Sequence, residues 1–275
     1  MRRATAAVAF LVVFGAAGCG GEEAPPPPPP EPTRLAIIFP EGFTIEEMAE
    51  RVKAVRKIAI AKRAVTPRLT AKAYRAAVTD AQAPPRFRQD APVGKLEGFL
   101  FPALYEFAPE TTARELVGKQ LDAFRERFAQ LDLTYARSKH LTPYDVLVIA
   151  SMVEEETAVA AERRLVAAVI YNRLRIGMPL GIDATIRYGL GIPGTQSLTG
   201  AALATDSPYN TRLRTGLPPT PIANPGLASL QAAAHPARDV DYVFYVRKPE
   251  SLTHFFTASE REFLLKVCEY GYACD

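Results

Sequence analysis

The sequence has few cysteines and few histidines, and this scarcity limits the metal chemistry open to it. Among 275 residues there are three of each. Cys268 and Cys274 stand close together near the C-terminus without a neighbouring histidine, and the histidines are scattered without the spacing of zinc ligands. We therefore expect no metal site. If the chain is exported to an oxidising compartment, a small terminal disulfide is the expected state of the two cysteines.

An excess of charge of one sign is also missing. The chain carries 33 basic and 30 acidic side chains, a net charge of +3. Arg2 and Arg3 lie in a segment that we expect to be removed, which leaves 31 basic and 30 acidic side chains. No basic stripe stands out, so the sequence disfavours a nucleic-acid partner. The 48% hydrophobic content allows a sizeable core in one large domain or two smaller ones.

The apolar run near the N-terminus is too short to span a bilayer comfortably, which takes ~20 residues. It covers residues 6–14, follows two arginines, and leads through small residues to Cys19. The pattern predicts a lipoprotein-type signal peptide over 1–18 with Cys19 lipidated; ordinary secretion or a retained anchor are the alternatives. Residues 19–33 follow as a linker whose six consecutive prolines predict a stiff polyproline II spacer of ~3.1 Å per residue.

Periodicity in the remaining chain predicts an α+β fold. A strand at 35–39 precedes a helix that begins with a capping box formed by Thr44 and Glu47. Proline-rich breaks place a domain boundary near residue 94, which divides a small β/α subdomain at 34–94 from a helix-rich domain with short strands at 95–275. Further predicted elements are an extended aromatic segment at 95–102, helices at 113–128 and 161–176, a strand at 243–246 and a final helix at 259–267.

One helix has an unusual composition. It begins at Pro143, with Thr142 as a good N-cap, and residues 146–150 are apolar on every side, so we expect it to be central and buried. It ends in three carboxylates, at 154–156. An apolar environment raises the pKa of a carboxyl group and can hold its proton near neutral pH, as a general acid requires.

The three acids cannot all face one pocket, because successive helical residues are about 100° apart. A solvated helix end is the ordinary explanation of such a run, and spacing alone does not choose among the three. Downstream, Asn172 lies on the next helix, Asp183 on a predicted loop, and Tyr209 and Asn210 in an irregular segment at 206–223. These polar residues are able to contact a sugar, and a structural role is the alternative for each.

Taken together, these segments resemble the endolytic murein transglycosylase family, often called the YceG-like family. The family motifs match, in order, L-E-G-F-L-F-P-A-L-Y at 96–105, A-S-M-V-E-E-E-T at 150–157, I-Y-N-R-L at 170–174, G-M-P-L-G-I-D-A-T-I-R-Y-G at 177–189, S-P-Y-N-T at 207–211 and G-L-P-P-T-P-I-A-N-P-G at 216–226. The likeness covers roughly residues 35–267. Gly181 stands where the family usually has Gln, and Phe263 where a His is frequent.

The resemblance implies a function. Enzymes of this family cleave the β-1,4 bond between N-acetylmuramic acid and N-acetylglucosamine in nascent glycan strands without water, leave 1,6-anhydro ends, and need no metal or cofactor. It implies that Glu156, directly before Thr157, is catalytic, and that the small subdomain is lysin-motif-like. The candidate substrate-binding residues are Glu97, Asn172, Asp183, Tyr209 and Asn210.

The same resemblance implies partners and a location. Peptidoglycan glycan strands are the expected partner, with peptidoglycan synthases as further candidates, at the extracytoplasmic face of the cell envelope behind an N-terminal membrane anchor. Two other functions stay open. A muramidase-type hydrolase would use Asp183 as a second carboxylate, although that residue also fits a structural acid. A non-catalytic wall-binding lipoprotein would hold glycan through the lysin-motif-like part.

Overall fold

The computed structural model describes residues 34–272. The predicted signal, Cys19, the linker and Cys274 lie outside these residues. Cys268 is disulfide-bonded. Between residues 34 and 272, no helix combines the length and apolar character needed to cross a membrane.

The fold is α+β, as the sequence predicts, with helices surrounding two small antiparallel sheets. The strands are β1 (Leu35–Ile38), β2 (Leu104–Phe107), β3 (Phe244–Arg247) and β4 (His254–Thr257). The helices are α1 (Ile45–Arg63), α2 (Ala71–Asp80), α3 (Ala113–Ala129), α4 (Thr134–Ser138), α5 (Pro143–Glu156), α6 (Arg163–Arg175), α7 (Asp183–Leu190), α8 (Gly200–Leu203), α9 (Leu227–Ala234) and α10 (Glu260–Glu269). Short 3-10 turns stand at Pro85–Phe87 and Ala160–Glu162.

The first sheet joins two distant parts of the chain. β1 pairs antiparallel with β2, so that Leu35 lies opposite Phe107 and Ile38 opposite Leu104. Side chains of β1 alternate between buried and exposed, which is the period-two pattern of a strand with one face on the core. This pairing crosses the predicted boundary near residue 94, and the described residues belong to one compact unit. The division into 34–94 and 95–275 therefore stays a prediction.

Helix α5 is the centre of the core. The Thr142 side chain accepts a hydrogen bond from the Asp145 amide and Pro143 stands at the first turn, as predicted. Every residue from 144 to 153 is buried except Asp145. α5 packs against α6 and against α9, whose alanine-rich sequence allows close approach. The core therefore holds the end of α5, with its three carboxylates, in a fixed position.

Two sequence predictions about local structure are wrong. Residues 95–102 are not extended throughout, because the chain turns at Gly98, which adopts a φ of +88° that favours glycine. Asp183 is not in a loop but is the first residue of α7. Its negative charge suits a helix N-terminus, and the following eight-residue helix is too short for a clear apolar period.

The segment 206–223 is irregular, as predicted, and Asn224 fixes its end to the core. The Asn224 side chain is fully buried. Its amide donates to the Phe43 carbonyl at 2.8 Å and to Glu97 Oε1 at 2.7 Å. Its Oδ1 accepts from the Leu100 amide at 2.9 Å. One side chain thus ties this loop to the start of α1 and to the turn before β2.

Candidate active site

The three carboxylates that end α5 occupy different environments. The Glu154 side chain is 7% exposed and lies 3.6 Å from Arg163 Nη2. Its Oε2 accepts a hydrogen bond from the Gly226 amide at 2.9 Å. These contacts join α5 to α6 and α9. The Glu154 carboxylate is therefore engaged by groups of the protein itself.

Glu155 is the most exposed of the three. The surrounding protein displaces part of its solvent, and the charges of Glu47, Glu154 and Glu156 add to this effect. Together they raise the pKa of Glu155 to about 7. A raised pKa alone therefore does not distinguish Glu155 from its neighbour, and the choice depends on geometry.

Glu156 is half-buried, and its carboxyl has a fixed partner. The Tyr245 hydroxyl donates to Glu156 Oε2 at 2.7 Å. A cavity of about 350 Å³ is lined by all three carboxylates of the α5 end together with Arg163, Arg247 and His254. Glu156 thus combines restricted solvent access, an oriented carboxyl and adjacent space for a ligand, which is what a general acid needs.

Burial is the largest cause that raises the pKa of Glu156, and the charge of Asp183 raises it further. The hydrogen bond from Tyr245 and the electrostatic effects of His254 and Arg173 act in the opposite direction. The net pKa of Glu156 is raised. The group therefore retains its proton at a higher pH than an ordinary glutamate.

Helix α6 positions the strand that carries Tyr245. The Asn172 amide donates to the carbonyls of Val240 and Tyr242, each at 3.0 Å. Arg173 Nε donates to the Val243 carbonyl at 2.6 Å. The predicted site residue Asn172 therefore engages backbone leading into β3, and a direct contact with substrate stays a prediction.

A buried pair supports the same side of the cavity. The His254 ring Nδ1 lies 2.7 Å from Glu162 Oε2, and the His254 backbone amide donates to Glu162 Oε1 at 2.9 Å. The His254 ring stands perpendicular to the Tyr245 ring, with 5.5 Å between ring centres. Because β4 carries His254, this pair fixes the second sheet against the connection between α5 and α6.

Asp183, at the start of α7, is close enough to influence the pKa of Glu156 and has its own partner. Its Oδ1 accepts from Arg212 Nε at 2.7 Å, and both side chains are about half exposed, at 45% and 46%. The preceding loop is held by Thr211, whose Oγ1 accepts from the Ile182 amide at 3.0 Å. The structure thus brings Asp183 within electrostatic reach of Glu156, as an ion-paired group.

The other three predicted site residues, Glu97, Asn210 and Tyr209, are buried or half-buried and hydrogen-bonded to other groups of the protein. Glu97 is 6% exposed and accepts from the Ile45 amide, the Asn224 amide and the Tyr188 hydroxyl; burial raises its pKa to about 8. Asn210 is fully buried, and its amide donates to the carbonyls of Leu203 and Thr205.

Tyr209 is half-buried, with its hydroxyl 2.8 Å from Thr220 Oγ1 and its ring 5.3 Å from the Tyr188 ring. The structure therefore links Glu97 and Tyr209 through Tyr188, apart from the cluster around Glu156. Their binding of substrate, like that of Asn210, stays a prediction. In the described part of the chain, no group of three His, Cys, Asp or Glu side chains is placed to hold a metal.

Sequence reasoning missed Tyr245, His254, Glu162 and Arg212. The strand at 243–246 was predicted, but nothing in its pattern indicates which residue faces the helix end. The contacts of His254 and Arg212 arise between residues 29 to 92 positions apart. No local periodicity records such pairs.

We expect Tyr245→Phe to lower kcat by about tenfold, because misorientation of a catalytic group is costly. The hydroxyl stabilises the ionised form of Glu156, so its loss raises the pKa of that carboxyl further. Activity of a protonated acid declines as pH rises through its pKa, so the alkaline limb of the kcat/KM profile should move to higher pH. An unchanged profile would show that Tyr245 does not act on Glu156.

Comparison with known proteins gives a consistent family. The family model described as the YceG-like family matches residues 28–269. The chain is 38% identical over 153 residues to the endolytic murein transglycosylase of Bacillus subtilis, covering 56% of this chain and 42% of that protein. It is 32% identical over 249 residues to the endolytic murein transglycosylase of Streptococcus pneumoniae strain R6, covering 84% and 44%.

A solved structure is also similar. The crystal structure of a yceG-like protein from Listeria monocytogenes matches with a TM-score of 0.68 and 26% identity, over 82% of this chain and 74% of that one. The chain spans less than half the length of the two sequence relatives. The similarity therefore extends over most of the described residues but over only part of each of those relatives.

Proposed function

This chain belongs to the YceG-like family, and from that premise we propose that it is a lytic transglycosylase that cuts peptidoglycan glycan strands internally. The observation that carries the proposal is the environment of the Glu156 carboxyl group. This carboxyl directly precedes Thr157, faces a cavity, has a raised pKa and is held by Tyr245 at 2.7 Å. The names of the sequence relatives support the substrate class.

The reaction that we propose needs one acid and base group. Protonated Glu156 donates its proton to the glycosidic oxygen as the bond to C1 of the muramic sugar breaks and positive charge develops there. The resulting carboxylate accepts the proton of the C6 hydroxyl of the same sugar. The C6 oxygen then bonds to C1 and forms a 1,6-anhydro end. The proton count balances, Glu156 returns to its starting state, and no water is consumed.

Tyr245 keeps the Glu156 carboxyl in place through both proton transfers, since its hydroxyl donates to one carboxyl oxygen. The other oxygen has no hydrogen-bond partner among the described residues and is free for the proton exchanged with substrate. Arg173 and His254 favour the carboxylate formed after the first transfer. This balance of opposing charges suits a group that must both release and recover a proton.

A second function has one observation in its favour. Asp183 is close enough to raise the pKa of Glu156, and paired carboxylates are the usual apparatus of a hydrolase. A muramidase would use Asp183 as the second carboxylate. Its ion pair with Arg212 instead favours a role in holding the α7 start and tuning Glu156.

We expect Asp183→Asn to lower kcat by no more than about tenfold, because it removes one neighbouring charge but no reacting group. A hydrolase that depends on this carboxylate would lose about 10²–10⁴-fold. The rates of wild type and variant on the same glycan strands separate the two accounts. An unfolding midpoint for each protein serves as the control for structural damage.

The place of action in this proposal is the extracytoplasmic face of the cell envelope, with Cys19 as the lipidated anchor and peptidoglycan synthases as candidate partners. Incubation with purified sacculi tests the proposal as a whole. Soluble fragments of several disaccharide lengths are expected from an internal cut. Binding to sacculi with no released fragments would support the wall-binding lipoprotein instead.

A further inference from the structure

A second cavity lies next to the candidate active site. It has a volume of about 640 Å³ and is bounded by the start of α6 and one face of α9. We name it the arginine cavity; its polar lining consists of Gln130, Arg163, Arg164, Gln231, His235 and Arg238. Arg163 also lines the cavity that contains Glu156. The two cavities are therefore neighbours that share a wall.

The charge of the arginine cavity is one-sided. Its lining contains three arginines and no carboxylate. Arg163 forms an ion pair with Glu154. Neither Arg164 nor Arg238 has a carboxylate at salt-bridge distance within residues 34–272. Two unneutralised guanidinium groups at one concave site make a strong attraction for an anion.

The two arginines are also held in position. Arg164 Nε donates to the His235 carbonyl at 2.8 Å, and Arg238 lies over the Tyr135 ring with 5.6 Å to the ring centre. Each keeps guanidinium N–H groups available for a ligand. Asp132 lies near His235, but its carboxylate accepts from the Thr134 amide and hydroxyl. Asp132 offsets part of any positive charge near His235, but it is not among the lining residues, whose charge comes from three arginines.

The volume of the arginine cavity and its other lining residues indicate which kind of anion it would bind. The apolar side chains of Leu131, Ala160, Ala228 and Ala232 contribute to the walls, and two glutamines offer amide groups that pair with peptide bonds. A single phosphate would fill only a small part of 640 Å³. A short peptide with free carboxylates matches the volume, the amides, the apolar wall and the guanidinium groups together.

We propose that the arginine cavity binds the carboxylates of the stem peptide attached to the muramic sugar of the strand being cut. The inference rests on the proposed function. In peptidoglycan this peptide branches from the lactyl group of the muramic sugar, next to the scissile bond. When a muramic sugar is bound at Glu156, its peptide would extend past Arg163, which lines both cavities, into the arginine cavity.

Binding provides the first test, because it needs no catalysis. The probe is the tripeptide alanyl-γ-glutamyl-lysine, titrated by calorimetry against wild type, Arg238→Gln and the double variant Arg164→Gln/Arg238→Gln. We expect the double variant to bind about tenfold or more weakly, as loss of charge-assisted hydrogen bonds would produce. Arg175→Gln/Arg261→Gln removes the same charge from exposed positions outside both cavities and should bind like wild type.

Two further ligands sharpen the result. The same tripeptide with its carboxyl groups converted to amides should bind weakly and equally to all variants. Inorganic phosphate should bind far more weakly than the tripeptide. Equal affinity of wild type and the double variant for the tripeptide would overturn the proposal, and so would phosphate binding as tight as that of the peptide.

The second test uses the reaction. Glycan strands with stems, and the same strands stripped of stems by an amidase, are compared as substrates. The double variant should lose about tenfold in kcat/KM on stem-bearing strands and nothing on bare strands. Equal losses of kcat/KM on both kinds of strand would overturn the assignment of the arginine cavity to the stem peptide. If wild type binds the peptide as predicted but cleaves neither kind of strand, the proposed function is wrong and the peptide site is retained.

Discussion

Replacing Glu156 by glutamine is expected to lower kcat by about 10²–10⁴-fold, the usual contribution of a general acid and base. Glutamine has nearly the same shape and still accepts the hydrogen bond from Tyr245, but it has no acidic proton to give. The variant also lacks a carboxylate to receive the C6 hydroxyl proton. Rates on purified glycan strands, with an unfolding midpoint near that of wild type, measure this effect.

The matched control is Glu155→Gln, one residue away on the same helix. The pKa of Glu155 is also raised, to about 7, so the control removes a titrating carboxyl from the same cavity. Because no side chain among residues 34–272 is hydrogen-bonded to Glu155 as Tyr245 is to Glu156, we expect its loss to lower kcat by less than about tenfold. Near-normal activity of the Glu156 variant, or a large loss of activity in the Glu155 variant alone, would assign the catalytic role to Glu155.

Replacing Gly98 by alanine is expected to lower the free energy of unfolding by about 2–5 kcal/mol. Its φ is +88°, and a Cβ built there lies 2.7 Å from the Pro221 ring and 3.3 Å from Leu147 Cδ2. The added methyl group therefore meets both backbone strain and a rigid proline ring between the turn and α5. Urea denaturation gives the change directly.

Gly94→Ala separates these two causes. Gly94 also has a positive φ, of +72°, but nothing lies within 4 Å of a Cβ at that position. The control should therefore lose only the strain of a left-handed conformation, roughly 1–2 kcal/mol. Equal losses in the two variants would show that the predicted clash of the added methyl group with Pro221 contributes nothing.

The central helix could be predicted from sequence because its signals are local. Thr142 and Pro143 define its start, the apolar run defines its burial, and Glu156 defines its end. The α+β class follows for the same reason, since short strands and capped helices have readable periods. Pairing of β1 with β2 could not be predicted, because it joins segments about 70 residues apart.

The partners of polar side chains were harder to predict than their positions. Glu97 and Asn210 are predicted to contact substrate; the structure shows their hydrogen bonds to groups of the protein itself, and the contact with substrate stays a prediction. A sequence does not tell whether a polar residue faces a ligand or a backbone carbonyl. Tyr245 is the opposite case, since its contact with Glu156 depends on how the second sheet packs on α5.

The central claim is that the bond is cut by an internal oxygen and not by water, and product analysis in H₂¹⁸O tests it most directly. Strands digested by the wild-type protein should end in anhydro sugars that are lighter than reducing ends by one water, about 18 Da, and carry no ¹⁸O. Reducing ends that carry ¹⁸O at C1 at the earliest time points would contradict the account and establish a hydrolase.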